Sequence, residues 1–277
     1  MMEVSASAVS KKPIFRIENG KQQPILDSIV TEEPLEIQIQ YFLKDKWLKK
    51  NLLVTMRTPG SDHALALGFL FAEGIIATKV GIESIVQIEI NVLIIRFLKT
   101  TQVDLSALSR NFYATASCGV CGKASIEKLE KITCFFPQKK LPKMKQSVLL
   151  TLPETLRNTQ SIFEETGGIH AAGLFTPSGI LLNHAEDVGR HNAVDKLIGN
   201  CLQKDLIPLR NHILMLSGRI SFELVQKAMM AGIPIIAAVG APSSLAIELA
   251  AENGMTLIGF LRGERFNVYC GIERIII

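Results

Sequence analysis

Aromatic residues are scarce in this sequence. They make up 6% of its 277 residues, with a single Trp at Trp47, and so few rings leave no row of stacking platforms of the kind single-stranded nucleic acid uses. Charge of one sign is lacking as well. Thirty basic against 26 acidic residues leave a net +4, too mild and too dispersed to argue for nucleic acid as a partner. Long hydrophobic runs are absent: the longest, such as residues 64–71, fall well short of the roughly 18 needed to cross a membrane. Residues 1–13 carry no apolar core of a secretory signal, so no membrane partner is expected and a cytoplasmic location is. The five cysteines show no disulfide-like spacing, which fits a reducing compartment where thiols stay free.

What is present is an aliphatic-rich globular composition, 48% hydrophobic and 20% charged with a mean hydropathy of +0.27. The length suffices for one large or two ordinary domains. Residues 1–24 are polar and rich in Ser and Lys, and read as a tail with a short strand over 14–17. Alternation at period two predicts a strand over 35–42. A basic turn over 44–50 and a returning strand over 52–56 complete a hairpin. Thr58-Pro59-Gly60-Ser61-Asp62 supplies breaker and cap residues ahead of a helix over 64–76, and two more strands follow over 84–90 and 92–98. Residues 25–147 thus form a small α+β domain, with a loop over 109–123. Its last stretch, 138–146, carries Lys139, Lys140, Lys143 and Lys145, which could dock an acidic partner but read as a solvated linker.

From Thr151 the pattern changes. A helix over 151–164, with Pro153 at its start, leads to strands over 169–175 and 180–182. Then helices over 193–202, 222–231 and 245–251 alternate with strands over 213–216, 235–239 and 256–260. Such alternation makes residues 148–277 an α/β layer sandwich with a largely parallel portion, whose ligand belongs beyond the carboxyl ends of the strands. The segments after those strands are Ser217-Gly218-Arg219-Ile220-Ser221, Gly240-Ala241-Pro242-Ser243-Ser244 and Leu261-Arg262-Gly263-Glu264-Arg265. Two helix starts with free N–H groups and three arginines at one sheet edge suit a ligand with several phosphate oxygens. Upstream, Thr166-Gly167-Gly168-Ile169-His170 and Glu186-Asp187-Val188-Gly189-Arg190-His191-Asn192 add a dense polar cluster. There Asp187 can cap, Arg190 can fork onto phosphate, and His191 or Asn192 can bond a base edge.

Ser117-Cys118-Gly119-Val120-Cys121-Gly122-Lys123 is the stretch with the most chemistry. Only a few per cent of an ordinary thiol is ionised at neutral pH, and Lys123 is near enough in sequence to lower that barrier. A Cys-x-x-Cys pair is half a zinc site, a dithiol redox couple or a persulfide carrier. Zinc lacks the other soft ligands here: Cys134, Cys201 and Cys270 are single, and His63, His170, His184, His191 and His212 show no pair at zinc-finger spacing. The Trp and Pro of a thioredoxin-type motif are missing too.

Several motifs together carry a resemblance. Thr55-Met-Arg-Thr-Pro-Gly60, Leu67-Gly-Phe-Leu70 through Glu73-Gly-Ile-Ile76, Cys118-Gly-Val-Cys-Gly-Lys123 and Thr166-Gly-Gly-Ile-His170 come first. Glu186-Asp-Val-Gly-Arg-His-Asn192 with Asp195-Lys196, Ser217-Gly-Arg219 and Ala241-Pro-Ser-Ser244 follow. In that order they resemble the formate dehydrogenase accessory sulfurtransferase family, FdhD, over about residues 35–270. The resemblance implies a sulfurtransferase that takes sulfur from a cysteine desulfurase and passes it to the molybdenum cofactor, in its bis-molybdopterin guanine dinucleotide form, for formate dehydrogenase. It implies Cys118 as the persulfide-bearing residue and Cys121 as its partner. Phe260, Leu261, Arg262, Gly263, Glu264 and Arg265 match the family's cofactor-binding stretch, and Ser217, Arg219, Ser243, Ser244, His170, Asp187, Arg190 and His191 join them. A cytidine-deaminase-like fold is implied for residues 148–277, and a homodimer is expected. His184-Ala-Glu186 echoes the zinc deaminases, but the Cys-x-x-Cys lies upstream of it without a preceding Pro, so no catalytic zinc is expected. A cofactor chaperone with incidental cysteines, a dithiol oxidoreductase or a zinc-binding protein are the alternatives.

Overall fold

The computed structural model describes residues 7–103, 135–138 and 140–277. Cys118, Cys121, the loop predicted over 109–123 and Lys139 lie outside those residues.

Strands β1 (Val9–Glu18) and β2 (Lys21–Val30) pair antiparallel along their whole length. Asn19 and Gly20 turn the chain with φ of 50° and 74°, the backbone a two-residue hairpin turn requires and Asn-Gly readily adopts. The tail expected through residue 24 is therefore largely strand, because that turn signal outweighs the polar composition around it. Strands β3 (Glu33–Leu43) and β4 (Lys46–Arg57) form a second hairpin. Its turn is Lys44-Asp45 alone, at φ 48° and 59°, so most of the expected basic turn is strand. Helix α1 (Asp62–Ala72) and strands β5 (Ile82–Glu89) and β6 (Val92–Phe97) complete a sheet of order β4-β3-β6-β5. Leu35, Ile37 and Ile39 alternate onto its inner face with Leu93, Ile95 and Phe97, all buried, as the period-two pattern predicts.

After β7 (Met144–Lys145) come three short helices, α2 (Gln146–Leu149), α3 (Leu152–Arg157) and α4 (Ser161–Thr166). The single helix expected over 151–164 breaks at Asn158-Thr159-Gln160, the first two weak helix formers, and restarts where Glu186 accepts the N–H groups of Ile162 and Phe163 at 3.2 and 3.1 Å. The 138–146 stretch is seated rather than fully solvated. Buried Arg274 donates to the carbonyls of Leu141 and Gln138 at 2.8 and 2.9 Å, and Met144 is buried, while Lys140, Lys143 and Lys145 point to solvent as read.

The remaining elements are β8 (His170–Phe175), β9 (Leu181–Asp187), α5 (Arg190–Gln203), β10 (Ile213–Leu216), α6 (Phe222–Met230) and β11 (Ile235–Ala238). They are followed by α7 (Ser244–Glu252), β12 (Thr256–Arg262), β13 (Arg265–Cys270) and β14 (Ile275–Ile276), which pairs with β7. The order β13-β12-β11-β10-β8-β9 makes a six-stranded mixed sheet. Only β10, β11 and β12 are parallel, so the parallel portion is smaller than expected. β12 runs on past 260 and turns back into β13, which makes the third segment the tip of a hairpin.

The fold is mixed α/β, and one core crosses it. Leu214, Leu216, Ile236 and Ala238 on one face of the large sheet join α1, α5, α6, α7 and the inner face of the small sheet in a single cluster. Ile213, Met215, Ile235 and Ala237 face the other way, onto Leu149, Leu152 and Leu156. Strands buried on both faces read as unbroken apolar runs, as these do. Helix α1 is apolar nearly all round because it lies between the two sheets. It crosses α5 at two glycines: a Cβ on Gly68 would overlap the Asp195 carbonyl, and one on Gly199 that of Ala64. Gly199→Ala is expected to lower stability by about 1–3 kcal/mol through overpacking, despite Ala's better helix propensity. An unchanged urea midpoint would show that the helices have room to part.

Candidate functional site

The polar cluster forms where β8 begins and β9, β10, β11 and β12 end. β8 runs antiparallel to its neighbours, so His170 at its start stands beside the ends of β9 and β10. The segments after the parallel strands interlock there. Gly240 N–H donates to Gly218 O, Ile220 pairs with Pro242, and Phe260 N–H donates to Gly240 O at 3.1 Å. Phe260 takes φ 54° to make that contact. Gly218 and Gly240 are required by closeness: a Cβ on Gly218 would lie 3.1 Å from His170 Nδ1, and one on Gly240 2.8 Å from Gly218 O.

Two arginines and two histidines surround this crevice. His170 lies where Arg190, His191 and Arg219 all act on it electrostatically. His191 Nε2 is 3.0 Å from Ser221 Oγ and 3.7 Å from Glu223 Oε2, and its hydrogen bond is the main cause holding the Glu223 carboxyl at about 2. Helix α5 begins at Gly189 with no side-chain cap, and Arg190 Nε is buried without a hydrogen-bond partner. Free N–H groups at a helix start beside an unpaired guanidinium nitrogen define a place for an anion.

A buried network underneath holds the cluster in place. Asp187 is fully buried and accepts from Gly189 N at 2.8 Å, Asn192 Nδ2 at 3.0 Å and Thr58 N at 3.2 Å, with Lys196 Nζ at 2.7 Å. Lys196 also donates to Thr58 O at 2.7 Å, and Asn192 to Met56 O at 2.8 Å. The end of β4 is thereby tied to the start of α5.

Of the residues expected to touch a ligand, His170, Arg190, His191, Ser217 and Arg219 are brought together. Ser217 Oγ accepts from Ala171 N at 2.8 Å and joins β8 to β10. Asp187 is fully buried and Asn192 nearly so, and their polar atoms are engaged within the protein, so both side chains hold the helix start rather than line the crevice. Leu261 is corrected as well, its side chain lying in the second core cluster. Ser243 Oγ accepts from Ala246 N at 3.3 Å as the cap of α7, and Ser243 and Ser244 are exposed at its start. Arg262, Gly263, Glu264 and Arg265 line a shallow open depression at the β12–β13 tip. Sequence reasoning missed Ser221 and Glu223, although an acidic residue in the first turn of a helix is a legible signal. It also missed Lys196 as the clamp on Asp187.

Among the described residues no group of three or more His, Cys, Asp and Glu could hold a metal. Glu186 is engaged at the start of α4, and His184 is exposed on β9. No helix among them is long and apolar enough to cross a membrane. Both flanks of residues 104–134 are seated at the end of the large sheet away from the crevice. Thr101 donates to Gly81 O at 3.0 Å, near where Lys79 meets Asp205 past the end of α5. Phe135 lies against Gly232 and Pro208, ahead of β11 and β10.

Burial, and then the charge of Arg190, hold the His170 pKa below 6.5. The unfolded chain thus takes the proton more readily, and His170 lowers stability as pH falls through that window. A bound anion reverses the electrostatic balance. Affinity for inorganic pyrophosphate is therefore expected to rise as pH falls below neutrality, with proton uptake on binding. Calorimetry in buffers of different ionisation enthalpy checks this; binding without proton uptake would place the anion elsewhere.

The sheet and its crevice define a mixed α/β protein in which histidines, arginines and helix N-termini gather at the carboxyl ends of the parallel strands. The chain belongs to the FdhD/NarQ family, whose model matches residues 30–276. It is 46% identical over 276 residues to the sulfur carrier protein FdhD of Streptomyces coelicolor, covering 96% of this chain and 95% of that one. It is 42% identical over 267 residues to the sulfur carrier protein FdhD of Saccharolobus solfataricus, covering 96% and 98%. A crystal structure from Desulfotalea psychrophila, provisionally described as a formate dehydrogenase accessory protein, superimposes with a TM-score of 0.74 at 26% identity, covering 97% of this chain and all of that one.

Proposed function

We propose that this protein is a sulfurtransferase serving formate dehydrogenase, carrying persulfide sulfur from a cysteine desulfurase to the molybdenum cofactor in its bis-molybdopterin guanine dinucleotide form. The naming of its relatives as sulfur carrier proteins supports the sulfur half of this reading. The observation that carries the acceptor half is the crevice, where the partnerless Arg190 Nε and the uncapped α5 start face His170, His191 and Arg219. That donor set fits the phosphates of a dinucleotide, and Arg262 and Arg265 at the β12–β13 tip extend the basic edge. The order of the large sheet, a hairpin at one edge beside three parallel strands, supports a cytidine-deaminase-like layering.

In the carrier step the Cys118 thiolate attacks the outer sulfur of the donor's persulfide. A new S–S bond forms on Cys118 as the old one breaks, and the donor cysteine leaves as thiolate, so no net oxidation is needed. Cys121, three residues on in the sequence, resolves the persulfide or keeps the loop reduced. We place the protein in the cytoplasm as a homodimer.

Intact-mass spectrometry after incubation with a cysteine desulfurase and cysteine tests the reading. A gain of one sulfur atom per chain is expected. No gain together with retained zinc, or with the loss of two protons to a disulfide, would replace it by the metal or the dithiol reading.

A further inference from the structure

The turn at Lys44-Asp45 and the outer face of the small sheet beside it gather charge that the crevice does not use. Phe42 and Trp47 pair across β3 and β4 and meet edge to face, their centroids 5.5 Å apart at 71°. The Arg96 guanidinium lies 4.4 Å from the Trp47 ring centre, and Lys99 Nζ 4.3 Å from that of Phe42. Lys49 pairs with Gln40, whose other neighbour is Arg96, so Lys49 and Arg96 share this face. Lys44 and Lys46 stand exposed at the turn with Leu43, which is 49% exposed. Five cations here face two carboxylates, Asp45 and Glu83, the latter bound to Arg96 at 2.9 Å.

We infer that this face docks a protein partner through an acidic surface. Trp and Arg are among the residues that anchor protein interfaces, and the surrounding lysines select an acidic counterpart and speed its approach. Nucleic acid is disfavoured because each ring already has one of the chain's own cations on its face and the other ring at its side, leaving no platform on which bases stack. The place is apart from the crevice. β4 is 12 residues long and its far end meets Asp187 and Asn192, which at about 3.3 Å per residue sets the turn roughly 35 Å away. Lys99 lies just before residue 104, so a docked partner sits beside the root of the segment that bears Cys118. The inference goes beyond the sulfur-carrier reading and stands without it.

Trp47 is the chain's one Trp, so its emission reports on this face directly. The full-length protein is titrated with a short Glu/Asp-rich peptide, with a single-stranded oligonucleotide of equal charge and with vesicles containing phosphatidylglycerol. The peptide is expected to give a saturable change in emission that weakens at least tenfold in Lys49→Glu/Lys99→Glu. It should persist in Lys21→Glu/Lys204→Glu, which alters net charge equally away from the face. Equal weakening in both variants would reduce the effect to net charge and overturn the inference. Tighter binding of the oligonucleotide or the vesicles, or no response to the peptide, would overturn it too. Sulfur uptake by the Lys49→Glu/Lys99→Glu variant from a small-molecule persulfide is read alongside, so a failed docking site is distinguishable from a failed carrier.

Discussion

Cys118→Ala is expected to end sulfur uptake, from one sulfur per chain to none, while guanine nucleotide binding stays as it was. Deleting a covalent nucleophile removes the step itself, and losses of about 10³-fold or more are usual for such residues. Binding is expected to survive because the crevice is assembled from His170, Arg190, His191 and Arg219, held by Asp187 and Lys196, all of them outside the segment that carries the cysteine pair. Two readouts separate the tasks: intact mass after the desulfurase reaction, and nucleotide affinity by calorimetry. Simultaneous loss of both would show that the cysteine segment is part of the binding site and would sink the division of labour. Full sulfur uptake without Cys118 would move the carrier role to Cys121 or another thiol.

Lys196→Met should be the most damaging change outside the cysteine pair. Its ammonium is 3% exposed and lies 2.7 Å from the fully buried Asp187 carboxylate, with the Thr58 carbonyl at 2.7 Å. Removing one partner leaves a buried charge uncompensated, at a cost of roughly 3–5 kcal/mol. The remaining donors to Asp187, the N–H groups of Thr58 and Gly189 and the Asn192 amide, soften the loss without replacing a positive charge. Because the same carboxylate fixes Gly189, the start of α5 loosens too, and pyrophosphate affinity falls with stability. A double-mutant cycle decides the cause: Asp187→Asn/Lys196→Met should lose much less than the sum of the single changes. Additive losses would show that the two charges do not act on each other.

Much of the site was legible as motif. Glu186-Asp-Val-Gly-Arg-His-Asn192 announces itself by density of polar side chains at a strand-to-helix junction, and it does sit at that junction. The division of roles within it was not legible. Arg190 and His191 face the crevice, whereas Asp187 and Asn192 turn inward, because β4 arrives from more than a hundred residues away and places Thr58 N and Met56 O against them. Leu261 was misread for a related reason. In a strand the faces alternate, and only the register of β12 against β11 and β13 decides that Leu261 points into the core while Arg262 points out.

By itself the sequence determined the strands and helices with strong periodicity, the single Cys-x-x-Cys pair and the family motifs in their order. These are local properties, written in side-chain period, turn residues and spacing. Tertiary structure alone decided that the two sheets share one core through α1 and α5, that Asn19-Gly20 closes a long hairpin where a tail was expected, and that one ring of polar residues splits into ligand-facing and buried halves. It also decided that Lys49, Arg96 and Lys99 meet around Trp47. Such contacts join residues far apart in the chain, and their energies come from burial and charge proximity, which no local pattern encodes.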